Sequence, residues 1–99
     1  MAVKKLIDEI FWVGAEDWDR RLFDSLIPLP DGTSYNAYIV RGRDLTVLID
    51  AVDPTKKDIL ASHLNDFPKI DLVIANHLEQ DHSGLIPYVL ERYPQARLL

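Results

Sequence analysis

Apolar residues in this chain fall into short runs separated by turn-forming residues, and the spacing within each run predicts its element. Leu6 to Val13 is a mixed apolar stretch that closes on Trp12-Val13 before Gly14, which suits a first strand. Residues 15–21 are polar and charged. Arg21 to Ile27 is expected to add a short strand, and Pro28-Leu29-Pro30-Asp31-Gly32 has the chemistry of a turn. Tyr35 to Val40 and Leu45 to Ile49 are β-rich, and Arg41-Gly42-Arg43-Asp44 between them predicts a hairpin. The period then lengthens. Asp53 is a good N-cap, and Pro54 sits at the first helical position, where its missing donor costs nothing. Leu60, Leu64 and Phe67 share one face of a helix over residues 54–67, and Pro68 stops it. Ile70 to Ala75 reads as a buried strand. Ser83 is placed to cap a second helix running to about Tyr93, with Pro87 tolerated in or near its first turn. A further strand begins at Ala96-Arg97-Leu98-Leu99. The order β-β-β-β-α-β-α-(β) indicates an α/β protein with a mixed sheet.

Composition narrows the class. Ninety-nine residues allow one small domain, and 47% apolar with 27% charged residues is the balance of a globular protein rather than a disordered one. A net charge of −5 with no basic stripe speaks against nucleic acid or an anionic membrane as partner. The chain has no cysteine, which excludes disulfides, thiolate zinc sites and cysteine-ligated clusters within these residues. It shows neither a signal-peptide core nor a bilayer-length apolar run, which fits a cytoplasmic location. Because the chain stops just after Pro94, where a new strand begins, the 99 residues are expected to be the N-terminal piece of something longer.

The densest chemistry lies between the buried strand and the last helix. Ile74-Ala75-Asn76-His77-Leu78-Glu79-Gln80-Asp81-His82-Ser83-Gly84 packs four metal-capable side chains, His77, Glu79, Asp81 and His82, into six positions. Imidazoles and carboxylates so close together are expensive to bury without a cation. Asn76 and Ser83-Gly84 argue for a loop at a strand's C-terminal end, where α/β proteins commonly place their catalytic groups. In a tight loop, alternate side chains converge on one point, so the adjacent Asp81 and His82 serve a second, neighbouring metal. Mixed imidazole and carboxylate ligation suits iron, manganese or zinc and is too rich in nitrogen for magnesium or calcium. The plain alternative is a solvated polar loop that caps the next helix. His63, the remaining histidine, is expected to be an ordinary surface or boundary residue of the 54–67 helix. Trp12, Tyr88 and Tyr93 are expected in the core or at its edge. The sequence has no phosphate-binding glycine loop and no serine elbow.

His77-x-Glu79-x-Asp81-His82 resembles the H-x-H-x-D-H signature of the metallo-β-lactamase superfamily, with glutamate for the middle histidine as in the flavodiiron proteins (A-type flavoproteins). Val13-Gly14-Ala15, residues 17–24, residues 26–38 and Leu48-Ile49-Asp50 resemble the same family. The resemblance covers residues 10–99. It implies the N-terminal part of an α/β/β/α sandwich holding two iron ions, with His77 and Glu79 on one iron and Asp81 and His82 on the other. The family's remaining ligands, a histidine, a bridging aspartate and a last histidine, would follow Leu99, as would a flavodoxin-like FMN domain. Asp50, and more weakly Asn36, would support the ligands without binding metal, and Ser34-Tyr35-Asn36 would form a turn beneath the site. Asp17-Trp18-Asp19-Arg20 would shape the pocket mouth or a subunit contact, or be a solvated loop. An added carboxylate among the ligands favours oxidisable iron over zinc. By resemblance, the whole protein would reduce oxygen to water, nitric oxide to nitrous oxide, or both. Its electrons would come from FMN, fed by rubredoxin or an F420-type donor, in a head-to-tail dimer. Two other readings stay open: a zinc hydrolase of the same superfamily, and a fragment with no activity of its own.

Overall fold

The computed structural model describes residues 3–7, 9–17, 22–23, 27–28, 33–76 and 84–99. Among them the strands are β1 (Lys4–Ile7), β2 (Ile10–Trp12), β3 (Ala15–Asp17), β4 (Leu22–Phe23), β5 (Ile27–Pro28), β6 (Thr33–Tyr35), β7 (Tyr38–Arg41), β8 (Thr46–Ile49), β9 (Leu72–Ile74) and β10 (Arg97–Leu98). A 3-10 turn at Pro54–Lys56 leads into helix α1 (Lys57–Leu64), and helix α2 spans Ile86–Arg92.

Six strands form the main sheet in the order β1-β2-β7-β8-β9-β10. The first four pair antiparallel, and β8, β9 and β10 run parallel, which makes the mixed sheet that the element order predicts. The two helices provide the crossovers that parallel pairs require. Register across the sheet sets its faces. Phe11, Ile39, Leu48 and Val73 lie opposite one another in one row, all buried. They pack with Leu60, Leu64 and Phe67 from the α1 side and Leu85, Ile86, Val89 and Tyr93 from the α2 side. Full burial of one such side chain stabilises by roughly 1.5–3 kcal/mol. The alternate rows, Ile10-Val40-Val47-Leu72 and Tyr38-Ile49-Ile74, are apolar as well but only half-buried. Apolar side chains on both faces mark a sheet built to be covered on both sides.

Several elements are shorter than the hydrophobic pattern predicts. The stretch from Leu6 to Val13 is two strands, because Glu9 takes a left-handed φ of 67° and turns β1 back against β2. Residues 15–17, read as polar, form β3 and pair with β6 in a separate two-stranded sheet. Tyr35 to Val40 is therefore divided: Tyr35 ends β6, and β7 starts at Tyr38. Gly14 permits this crossing, since a Cβ there would stand 2.0 Å from the Tyr35 carbonyl oxygen. The expected strand from Arg21 to Ile27 resolves into β4 and β5, paired antiparallel, and the turn residues 29–32 lie outside the described residues.

The helices start and stop for local reasons. The Asp53 carboxylate accepts from the Thr55 backbone N–H at 3.0 Å and from its hydroxyl at 2.6 Å, capping the 3-10 turn that Pro54 opens. α1 ends at Leu64, so Phe67 reaches the core from beyond the helix, meeting Phe11 edge-on at 5.2 Å. α2 has Pro87 in its first turn, as expected, while Leu85 precedes it with no side-chain cap; the expected cap, Ser83, lies outside the described residues. At the far end of α2 the Tyr93 hydroxyl, 2.7 Å from Phe67 O and 3.1 Å from Leu64 O, donates to the end of α1. Arg92 reinforces the junction through Ala61 O, Tyr88 Oη and Asn65 Oδ1. Among the described residues no helix is long and apolar enough to cross a membrane.

Candidate metal centre

β9 runs between two parallel neighbours and ends at Ile74, so the chain leaves the sheet at the C-terminal edge of its parallel strands. The motif begins three residues later. His77, Glu79, Asp81 and His82 themselves lie outside the described residues, which stop at Asn76 and resume at Gly84. What the structure fixes is the root from which they depart.

That root is clasped by Asp50, one residue past the end of β8. Its backbone N–H donates to Ile74 O at 2.8 Å, and its Oδ1 accepts from the Asn76 N–H at 2.8 Å. On the other side, the Ala75 N–H donates to Leu99 O at 3.3 Å. Asp50 is buried and adopts a φ of 62°. A non-glycine residue in that region is strained, and aspartate is among the few that tolerate it because its side chain bonds locally. The conformation places the carboxylate under the chain just before the motif. Asp50, expected from the sequence to support the ligands, thus bears on the backbone one residue before His77.

Asn36 stands elsewhere. Its Oδ1 accepts from Trp12 Nε1 at 3.1 Å. Trp12 shares its register with Tyr38, Ile49 and Ile74, so this pair lies toward the same end of the sheet as the motif root. His63 contradicts its expected place. It is only 2% exposed, its Nδ1 lies 3.0 Å from Val13 O, and its ring is 6.3 Å from that of Trp12. The signal was present: His63 follows Leu60 by three and precedes Leu64 by one, which puts it on the buried stripe of α1. Trp12 and Tyr93 are buried as expected, and Tyr88 is half-buried. Among the described residues no three histidine, aspartate or glutamate side chains gather into a group that could hold a metal ion.

No family model matches the chain. Its backbone superposes with a TM-score of 0.69 on BJP-1, a subclass B3 metallo-β-lactamase of Bradyrhizobium japonicum, at 19% identity over 97% of this chain and 31% of that one. The chain therefore has the metallo-β-lactamase fold. It superposes more closely, with a TM-score of 0.89 and 34% identity, on the rubredoxin oxygen:oxidoreductase of Desulfovibrio gigas, covering 97% of this chain and 24% of that one. Its likeness to the flavodiiron protein of Giardia intestinalis has a TM-score of 0.85 and 26% identity over 97% and 24% of the two chains. In sequence it is 39% identical over 98 residues to a nitric oxide reductase of Moorella thermoacetica, covering 95% of this chain and 24% of that protein. It is 37% identical over 100 residues to a coenzyme F420H2 oxidase of Methanocaldococcus jannaschii, covering 93% and 23%. Within the metallo-β-lactamase fold, this chain matches proteins named as flavodiiron proteins and type A flavoproteins over nearly its whole length. It spans about a quarter of the length of the curated relatives it matches.

Proposed function

We propose that this segment is the N-terminal portion of the metal domain of a flavodiiron oxidoreductase. It contributes His77 and Glu79 to one iron and Asp81 and His82 to the other. The observation that carries the reading is the placement of the motif. A cluster of two imidazoles and two carboxylates follows directly on a strand end that Asp50 clamps through both its backbone and its side chain. The donor set fits the metal: neutral imidazole nitrogen and carboxylate oxygen are the ligands that non-haem iron takes. When bound, a di-iron centre supplies electrons to oxygen or nitric oxide. The chain's own part is to hold His77 and His82 neutral and Glu79 and Asp81 ionised, as ligation requires. Asp50 fixes where their loop begins, as outer partners commonly do for metal ligands.

The whole protein reduces oxygen to water, nitric oxide to nitrous oxide, or both; its relatives include proteins named for each kind of activity. FMN in a following flavodoxin-like domain passes the electrons, drawn from a rubredoxin or an F420-type donor. A head-to-tail dimer brings the flavin of one subunit to the irons of the other. The location is cytoplasmic.

Metal analysis and the visible spectrum of the full-length protein test this. About two irons per chain with a flavin band are expected. His77→Ala and Glu79→Ala are expected to lower iron content while the flavin band is kept. Two zincs and no flavin would instead mark a hydrolase of the same fold.

A further inference from the structure

We propose that the end of the sheet opposite the motif root is a docking groove for an acidic peptide segment of a partner protein. Three shallow clefts meet there around Pro68. The middle one, about 230 Å³, lies between the β7–β8 turn and the link from α1 to β9, and Arg41, Arg43, Lys69, Thr46, Phe67 and Pro68 line it. Three cations and no acid border it, in a chain whose net charge is −5. Toward α2 a second cleft of about 270 Å³ adds Arg92, Tyr93 and Pro94, with Asp71 its one acid. The groove thus has basic walls, Arg92 among them already bonded to Ala61 O, Tyr88 Oη and Asn65 Oδ1, and an apolar floor that exposed Pro68 provides with Phe67 and Tyr93 buried beneath it.

Nearby acids do not cancel this charge. Arg41 Nε donates to Glu9 at 2.9 Å, but both side chains are about half exposed, at 45% and 53%. Lys69 Nζ lies 3.4 Å from Asp71 and donates to Asp44 O at 3.0 Å, with 58% of its side chain exposed. Such exposed pairs are weak, so incoming carboxylates exchange with Glu9 and Asp71 at little loss. Among the described residues nothing pairs with Arg43. Arg41 is held in place by Phe11 and Phe67, whose ring centroids lie 5.0 and 6.0 Å from its guanidinium carbon.

The layout selects a peptide rather than a small anion. Cations spread along open, contiguous clefts cannot converge on one phosphate. They match carboxylates spaced along an extended chain, whose intervening apolar side chains meet the floor. The groove adjoins Thr46 and Asp71, whereas the motif departs beside Ile49 and Ile74, so a partner seated here leaves the motif root uncovered.

Fluorescence anisotropy with a labelled hexaglutamate peptide and the full-length, metal-loaded protein tests the proposal. Saturable binding at low salt is expected, weakened about tenfold or more by Arg43→Glu with Lys69→Glu and also by raised salt. Hexaglutamine is expected not to bind. Should the charge reversal lower the melting temperature, Arg43→Gln with Lys69→Gln gives the same reading with less strain, and a weakening of about threefold or more is expected. No saturable binding, binding indifferent to both variant pairs, or full displacement by millimolar inorganic phosphate would each overturn it.

Discussion

Two single residues carry more of this structure than their exposure suggests. Asp50 combines a left-handed backbone with a side chain that satisfies the Asn76 amide. Asp50→Ala removes that acceptor and leaves a residue poorly suited to φ 62°, so a loss of about 1–3 kcal/mol is expected in denaturant unfolding. Asp50→Asn keeps an oxygen acceptor and a tolerant residue type and should lose about 1 kcal/mol or less. Equal losses would show that the negative charge, not the bond, matters. Tyr93 is the second. Burial raises its hydroxyl above the ordinary value of 10.0, against the opposing pull of the Arg92 charge. A raised value in the folded state means that its contribution is complete below the unfolded value and drains away as pH climbs through the folded one. Thermal stability should therefore decline above about pH 10, and Tyr93→Phe, about 1 kcal/mol weaker at neutral pH, should show a shallower alkaline decline. Melting curves from pH 7 to 12, roughly the span of tyrosine titration, check this.

At the scale of elements, legibility followed length and local chemistry. β8, β9 and α2 stand where their apolar runs and turn residues put them, and β10 begins where the Ala96–Leu99 run predicts. β3 escaped because its Ala-Glu-Asp sequence reads as polar, and β4 and β5 were merged into one expected strand because two residues leave alternation no room to show itself. The break between β6 and β7 depends on the close approach of Gly14 to Tyr35, a contact between segments distant in sequence. His63 was legible by spacing and misread by residue type. The candidate ligands were read from residue type and spacing, and Asp50 from the family resemblance at the end of a strand; its left-handed backbone left no trace in composition. The register makes a sharp contrast available within β8. Leu48 is fully buried under the helices and Val47 half-buried on the other face. Leu48→Ala should cost about 2–5 kcal/mol and Val47→Ala about 1 kcal/mol or less, measured by chemical denaturation. Similar costs would mean that both faces are packed alike.

Among the described residues, the main sheet is covered unequally on its two faces. Helices close one face of the main sheet, while the rows through Val47 and Ile49 on the other face stay half-buried. A chain of 99 residues buries only roughly 60–65% of its unfolded surface, so an incompletely covered apolar face weighs on its stability and solubility. On the proposed reading as one portion of a longer protein, the segment produced alone is expected to bind the hydrophobic dye 8-anilinonaphthalene-1-sulfonate, and the full-length protein to bind much less. Equal dye fluorescence from the two would show that this face stays open in the longer chain.

The Asp50 clasp also sets a boundary in time. Asn76 is solvent-exposed as a residue, yet its amide proton is engaged by a buried carboxylate. In hydrogen–deuterium exchange that single amide should be protected like those of β9, and Asp50→Ala should release it to rapid exchange. A fixed anchor at Asn76, immediately before His77, means that metal binding by the motif, as proposed, need not disturb the strands behind it.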